Sequence, residues 1–211
     1  DNDGITDVPL KIKVALEISG DTMTLDFAGT ADRCAGPVNI ALPTAVATAY
    51  VAIKHIVPSL PANAGVMRPI KVNIPDGSLL SAPFPAPVGG YTETILRMID
   101  VIFAAASQAA PDRVVANAYG TINALSISGK RANGQPWVMF SFYGGGHGGS
   151  IETDGLNHGN APISTATIPP MEILEAAYPV MFKQWALRPD SAGAGMHRGG
   201  MGATYEIEVL E

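Results

Sequence analysis

Leu10-Lys11-Ile12-Lys13-Val14-Ala15-Leu16-Glu17-Ile18 alternates apolar and mostly polar side chains, and Ser19-Gly20-Asp21 then interrupts it. Thr22-Met23-Thr24-Leu25-Asp26-Phe27 takes up the alternation again. A period of two with one wet face reads as a strand, and two such runs across a short Gly-containing turn read as a β-hairpin. The next segment changes period. Ala45–Val57 follows Pro43-Thr44, is rich in alanine and spaces Val46, Ala49, Tyr50, Ile53 and Val57 as a helix does, with Thr44 a candidate cap.

Further along, Pro69–Ile74 reads as a short strand, and prolines between Ser81 and Val88 interrupt regular structure before Gly89-Gly90. Thr92 or Thr94 can cap a second helix whose Ile95, Met98, Ile99, Ile102, Phe103 and Ala106 recur at helical spacing. Thr121–Ser128 and Trp137–Tyr143 read as strands, with Asn133-Gly134 between them as a hairpin turn signal. After the glycine run, Met171–Ala177 reads as a helix opened by Pro169-Pro170, and Met181–Leu187 and Ala203–Val209 read as strands. Hairpins separated by helices, without repeated strand-helix-strand alternation, predict an α+β fold. Its pairing is expected to be largely antiparallel, with about three helices and glycine-rich loops in the last third. One domain over residues 1–211 is the simpler organisation, the only internal boundary suggested being Ser81–Val88.

Composition narrows the function. Only 15% of the 211 residues are charged against 47% hydrophobic, which suggests that part of the surface is hidden against a partner. The net charge of −6, with Lys and Arg scattered, argues against a nucleic-acid partner. Ala41–Val57, broken by Lys54 and His55, falls short of the ~18–20 apolar residues of a membrane span. The chain opens on the acidic Asp1-Asn2-Asp3-Gly4 in place of the basic start and short apolar core of a secretory signal, and Leu210-Glu211 could be cloning residues, so it reads as a domain excised from a longer protein. The single Cys34 fits a reducing compartment, with cytoplasm the default, and reads as a small thiol without special reactivity. His55 reads as structural, near the C-terminal end of its helix.

Chemistry is concentrated between Tyr143 and Met201. Gly144-Gly145-Gly146-His147-Gly148-Gly149 follows a strand, and glycine there allows backbone N–H groups to approach an anion or a carbonyl oxygen. A tight glycine-lined turn or a flap is an equal reading. Neither a following Gly-Lys-Ser/Thr nor a helix opening after it is present, so it is not a nucleotide loop. His147, and His158 beside Asn157 in a second polar loop, could act as base or ligand, and their spacing gives no zinc pattern. Glu172 and Glu175 are accounted for by the positive end of their helix. In a third loop, Arg188 and Arg198 could fork onto a carboxylate, either Asp190 or a substrate group, with His197 nearby. The candidates are therefore His147, His158 and Asp190 for catalysis, and Gly145, Gly146, Asn157, Arg188, His197 and Arg198 for substrate binding, with any metal unknown.

Leu187-Arg188-Pro189-Asp190-Ser191-Ala192-Gly193-Ala194-Gly195, followed by Arg198-Gly199-Gly200-Met201-Gly202, resembles a signature block of the hydantoinase B / 5-oxoprolinase family. Asp26-Phe27-Ala28-Gly29-Thr30, Gly36-Pro37-Val38-Asn39, Arg68-Pro69-Ile70 and Pro75-Asp76-Gly77-Ser78-Leu79-Leu80 match it in order. Gly89-Gly90, Glu93-Thr94, Pro170–Glu175 and Tyr178-Pro179 continue the match. The resemblance implies a C-terminal part of a larger B-type subunit, working with an A-type subunit that binds ATP and Mg, while this segment binds no cofactor. Together such subunits open cyclic amides of the hydantoin or 5-oxoproline kind. Related members carboxylate ketones such as acetone, and a non-catalytic assembly role is the third expectation. His147 departs from the family pattern, where another residue is common, which puts a general role for it in doubt.

Overall fold

A computed structural model describes residues 2–160, 162–163 and 168–210. Asp1 of the acidic start and Glu211 of the terminal pair lie outside the described residues. The chain divides into two compact units, Asp1–Ala116 and Asn117–Glu211, so the division falls after the proline-rich segment and not within it.

In the first unit, β1 (Ala15–Ser19) and β2 (Thr22–Asp26) form the expected antiparallel hairpin, with Leu16 opposite Leu25 and Gly20 at φ 58° in the turn. The strand begins later than the alternation suggests. Residues 11–13 run beside Thr30 instead, where the threonine hydroxyl both accepts from Lys13 N and donates to Lys13 O, each at 3.2 Å. β3 (Ile70–Asn73) then lies parallel to β2, with Leu25 opposite Val72.

Two helices supply much of this unit's apolar interior. α1 (Leu42–Ile56) starts before Thr44 because Pro43 fits the first helical turn, whose N–H groups lack intrahelical acceptors. No side chain caps it. A short α2 (Ala64–Met67), unforeseen in the sequence, is capped by Asn63, whose Oδ1 accepts from Gly65 N and Val66 N. α3 (Tyr91–Ala106) packs on α1 and buries Ile95, Met98, Ile99, Ile102 and Phe103. Each such side chain contributes about 1.5–3 kcal/mol when fully buried. Neither threonine caps α3: its N-cap is Gly90, and the Thr94 hydroxyl donates to Val38 O. Asp3 is also buried, accepting from Ile5 N, Thr6 N and Gly36 N, and these backbone donors hold its carboxyl at about 2.

The second unit holds β4 (Ala124–Lys130) and β5 (Pro136–Phe142), an antiparallel pair joined through Asn133 and Gly134, the latter at φ 81°. β5 alternates cleanly: Trp137, Met139 and Ser141 are buried, while Val138, Phe140 and Phe142 face outward. α4 (Met171–Ala177) leads into β6 (Val180–Leu187), which pairs antiparallel with β7 (Ala203–Val209). Glu175 anchors this entry, because its Oε1 accepts from Phe182 N at 2.7 Å, a role beyond the helix-end electrostatics expected of it. Trp137, Met139, Tyr143, Leu174, Val180 and Phe182 form the core. The fold is α+β with mainly antiparallel pairs, as expected, and has four α-helices among the described residues.

Candidate functional site

Three loops of the second unit meet backbone to backbone: the glycine run after β5, the segment Asp154–Asn160, and the Arg188–Gly202 connection between β6 and β7. Gly145 N donates to Gly159 O at 2.9 Å and His147 N to Leu156 O at 3.0 Å. Gly200 N donates to His147 O, Gly155 N to Arg198 O and His158 N to Met201 O, each at 2.8 Å. Met201 N is held by the Asn157 side chain at 2.8 Å. Glycine permits this spacing. A Cβ on Gly146 would stand 1.9 Å from Gly200 O, and one on Gly200 would stand 1.9 Å from Leu156 O. Two N–H groups that the glycine run could have turned toward an anion, those of Gly145 and His147, are therefore engaged by neighbouring loops.

Asp154 ties the second loop to the third. Its Oδ1 accepts from Arg198 N at 3.0 Å and lies 3.6 Å from His197 Nδ1, while Oδ2 meets Arg198 Nε at 3.2 Å. Arg198 thus forks onto Asp154, and the expected partner Asp190 forms no ion pair with it among the described residues. Asp190 sits exposed at φ 55°, in a turn closed by Arg188 N donating to Gly202 O and by Ser191 Oγ donating to Arg188 O at 2.8 Å. Arg188 has an exposed side chain. His147 stacks beside Tyr119 at 6.3 Å, and its Nε2 meets Asn160 O.

His158, at φ 49°, stands against an aromatic wall. Its ring centroid lies 5.8 Å from Trp185 and 5.5 Å from Tyr205, and Tyr143 lies 4.3 Å from Tyr205. Trp185 Nε1 donates to His158 Nε2 at 3.1 Å, and the Tyr205 hydroxyl meets the same nitrogen. Burial pushes the Tyr143 hydroxyl up from its ordinary range. Of the nine sequence candidates, His147, Asn157, His158, His197, Arg198, Gly145 and Gly146 are brought into the woven loops, while Arg188 and Asp190 stand on the exposed turn. Sequence reasoning missed Asp154, Trp185 and Tyr205. An acidic residue between two glycine-bearing loops was the available signal for the first, whereas the other two lay unremarked among strand residues.

Among the described residues, no group of three or more His, Cys, Asp and Glu side chains could hold a metal ion. Cavities of about 420 Å³, lined by Arg33, Cys34 and Pro85–Pro87, and about 320 Å³, lined by apolar residues including Ile53, Val57 and Ile70, open in the first unit. The woven loops carry His147, His158, His197 and the signature block, which makes them the better guide to chemistry.

The model of the hydantoinase B/oxoprolinase family matches residues 1–211. The chain belongs to that family. Over 94% of its length this hydantoinase B family member is 30% identical to 5-oxoprolinase 1 of Arabidopsis thaliana, covering 15% of it. The crystal structure of the ATP-dependent caprolactamase from Pseudomonas jessenii superposes with a TM-score of 0.84 at 26% identity, over 95% of this chain and 36% of that one. A nucleotide-free acetone carboxylase shares the fold, with a TM-score of 0.82 at 22% identity over 93% of this chain and 27% of that one. The chain thus spans at most about a third of these relatives, 36% in the longest case.

Proposed function

We propose that this chain is part of the B-type component of an ATP-dependent enzyme that opens cyclic amides of the hydantoin or 5-oxoproline kind. One observation carries the reading: nearly the whole chain aligns with proteins named 5-oxoprolinase and ATP-dependent caprolactamase. In this proposal the woven loops border the ring site. His158 and Asp190 act on the substrate, His147 plays a lesser part, and Arg188, Asn157, His197 and Arg198 position it with the backbone of Gly145 and Gly146.

ATP and Mg are assigned to an A-type partner. The residues here do not fit either group, since the glycine run lacks a following Lys-Ser/Thr and its N–H groups are partly engaged by the other loops. Relatives named as the B component of a D-/L-hydantoinase and the beta component of a caprolactamase support a multi-subunit assembly. Phe84, 98% exposed, and the outward Phe140 provide apolar surface for one. No helix among the described residues is long and apolar enough to cross a membrane, and we assign the complex to the cytoplasm.

A non-catalytic assembly role has its own support, because the three loops bind chiefly one another. A ketone-carboxylase role shares only the fold. Turnover by the complete complex separates the readings. His158→Ala is expected to lower ring opening about 100-fold with assembly intact, the scale of a lost group that acts on the reacting atoms. Rates equal to the unsubstituted complex would instead establish the assembly role. The 211-residue chain alone, supplied with ATP, should open no hydantoin or 5-oxoproline, and turnover by it would remove the need for a partner.

A further inference from the structure

Indole N–H can only donate a hydrogen bond, so the 3.1 Å contact from Trp185 Nε1 makes His158 Nε2 the acceptor. A neutral imidazole has one bare nitrogen and one N–H. With Nε2 bare, the ring proton must reside on Nδ1. The Tyr205 hydroxyl, which can donate as well, meets the same nitrogen. Left-handed backbone at φ 49° and the flanking Trp185 and Tyr205 rings fix the orientation of the imidazole.

We infer that Trp185 holds His158 as the Nδ1–H tautomer, so that His158 serves as a hydrogen-bond donor to a carbonyl oxygen and not as a general base or metal ligand through Nε2. Trp185 is the positioning residue and Tyr205 its second support. The ring's remaining N–H, on Nδ1, suits the oxygen of an amide or other carbonyl compound, which gains negative charge as it reacts. A fixed N–H stabilises such an oxygen without changing its own protonation state. This substrate assignment rests on the reading under Proposed function, whereas the tautomer rests on geometry alone.

The decisive experiment is nitrogen NMR of the 211-residue chain labelled with ¹⁵N-histidine, at a pH of about 8 where free imidazole is neutral. His158→Gln identifies which of the four histidine ring systems is His158. One protonated nitrogen at Nδ1 and one bare nitrogen at Nε2 are expected. A proton on Nε2, or averaged shifts from an exchanging mixture, would overturn the inference. Trp185→Phe combined with Tyr205→Phe removes both donors to Nε2 and should shift His158 toward the Nε2–H form, and an unchanged pattern would remove Trp185 from the role. Tyr205→Phe should leave the Nδ1–H form in place, because the indole donor remains. A confirmed tautomer together with full activity of His158→Ala in the complex would discard the substrate role while keeping the positioning geometry.

Discussion

At Gly146 the hydrogen side chain is a condition of the site. The missing Cβ is what lets the chain reach Gly200 O, so Gly146→Ala must push two loops apart. Overpacking of this kind costs ~1–3 kcal/mol, to be read as a lower urea midpoint. Gly193→Ala, in open space, is the matched control and should leave the midpoint unchanged. Asp154 makes the opposite case. Its pairs with Arg198 and His197 are half exposed, so Asp154→Asn, which keeps an oxygen for Arg198 N, should cost under ~1 kcal/mol. Asp154→Ala, which also frees the Arg198 N–H, should cost more, and equal effects would show that charge alone ties these loops. The glycines were legible in the sequence as a place of close approach, but what approaches them was not. Periodicity reports the faces of elements, and these partners are loop carbonyls far away along the chain.

Elements were read well where one period ran uninterrupted. Met171–Ala177 and Ala203–Val209 form with the bounds their patterns suggest, while α1 starts early because proline initiates it. β6 shows where alternation fails. Phe182 pairs with Ile207 and Gln184 with Glu206, so Lys183 is an extra residue in a bulge. Strict alternation would place Phe182 and Trp185 on opposite faces. The bulge puts them on one face, with rings stacked 5.5 Å apart, and delivers Trp185 to Tyr205 and His158. This is why sequence reasoning found His158 without its partners. Deleting Lys183 is therefore expected to regularise the ladder, with Trp185 still facing inward. Its exposed pair with Glu208 is lost, at under ~1 kcal/mol. An unchanged tryptophan emission maximum checks this, and a shift to the red would mean that Lys183 is needed for the facing.

Across the whole molecule, the two units can be followed separately because their reporters are segregated. Both tryptophans, Trp137 and Trp185, lie in the second unit, while the two long helices, α1 and α3, lie in the first. Tryptophan fluorescence thus follows one unit and far-ultraviolet dichroism mainly the other. The first also carries its own acid-base signature. Burial pushes the Asp100 carboxyl up to about 6, against the opposing pull of Arg97, with which it forms an ion pair at 2.8 Å lacking hydrogen-bond alignment. A carboxyl whose folded value lies above its unfolded one binds its proton more tightly when folded, so stability falls as pH rises from about 4 to 6 and is level above. Asp3 acts with opposite sign, its lowered value removing stability as pH falls from about 4 toward 2. The helical transition should accordingly be most resistant to urea near pH ~4 and weaken toward pH ~6. Asp100→Asn should flatten that second limb while leaving the fluorescence transition in place. Coincident fluorescence and dichroism curves that move together in Asp100→Asn would show one cooperative body, whereas separate midpoints with only the helical one moving would show two folding units.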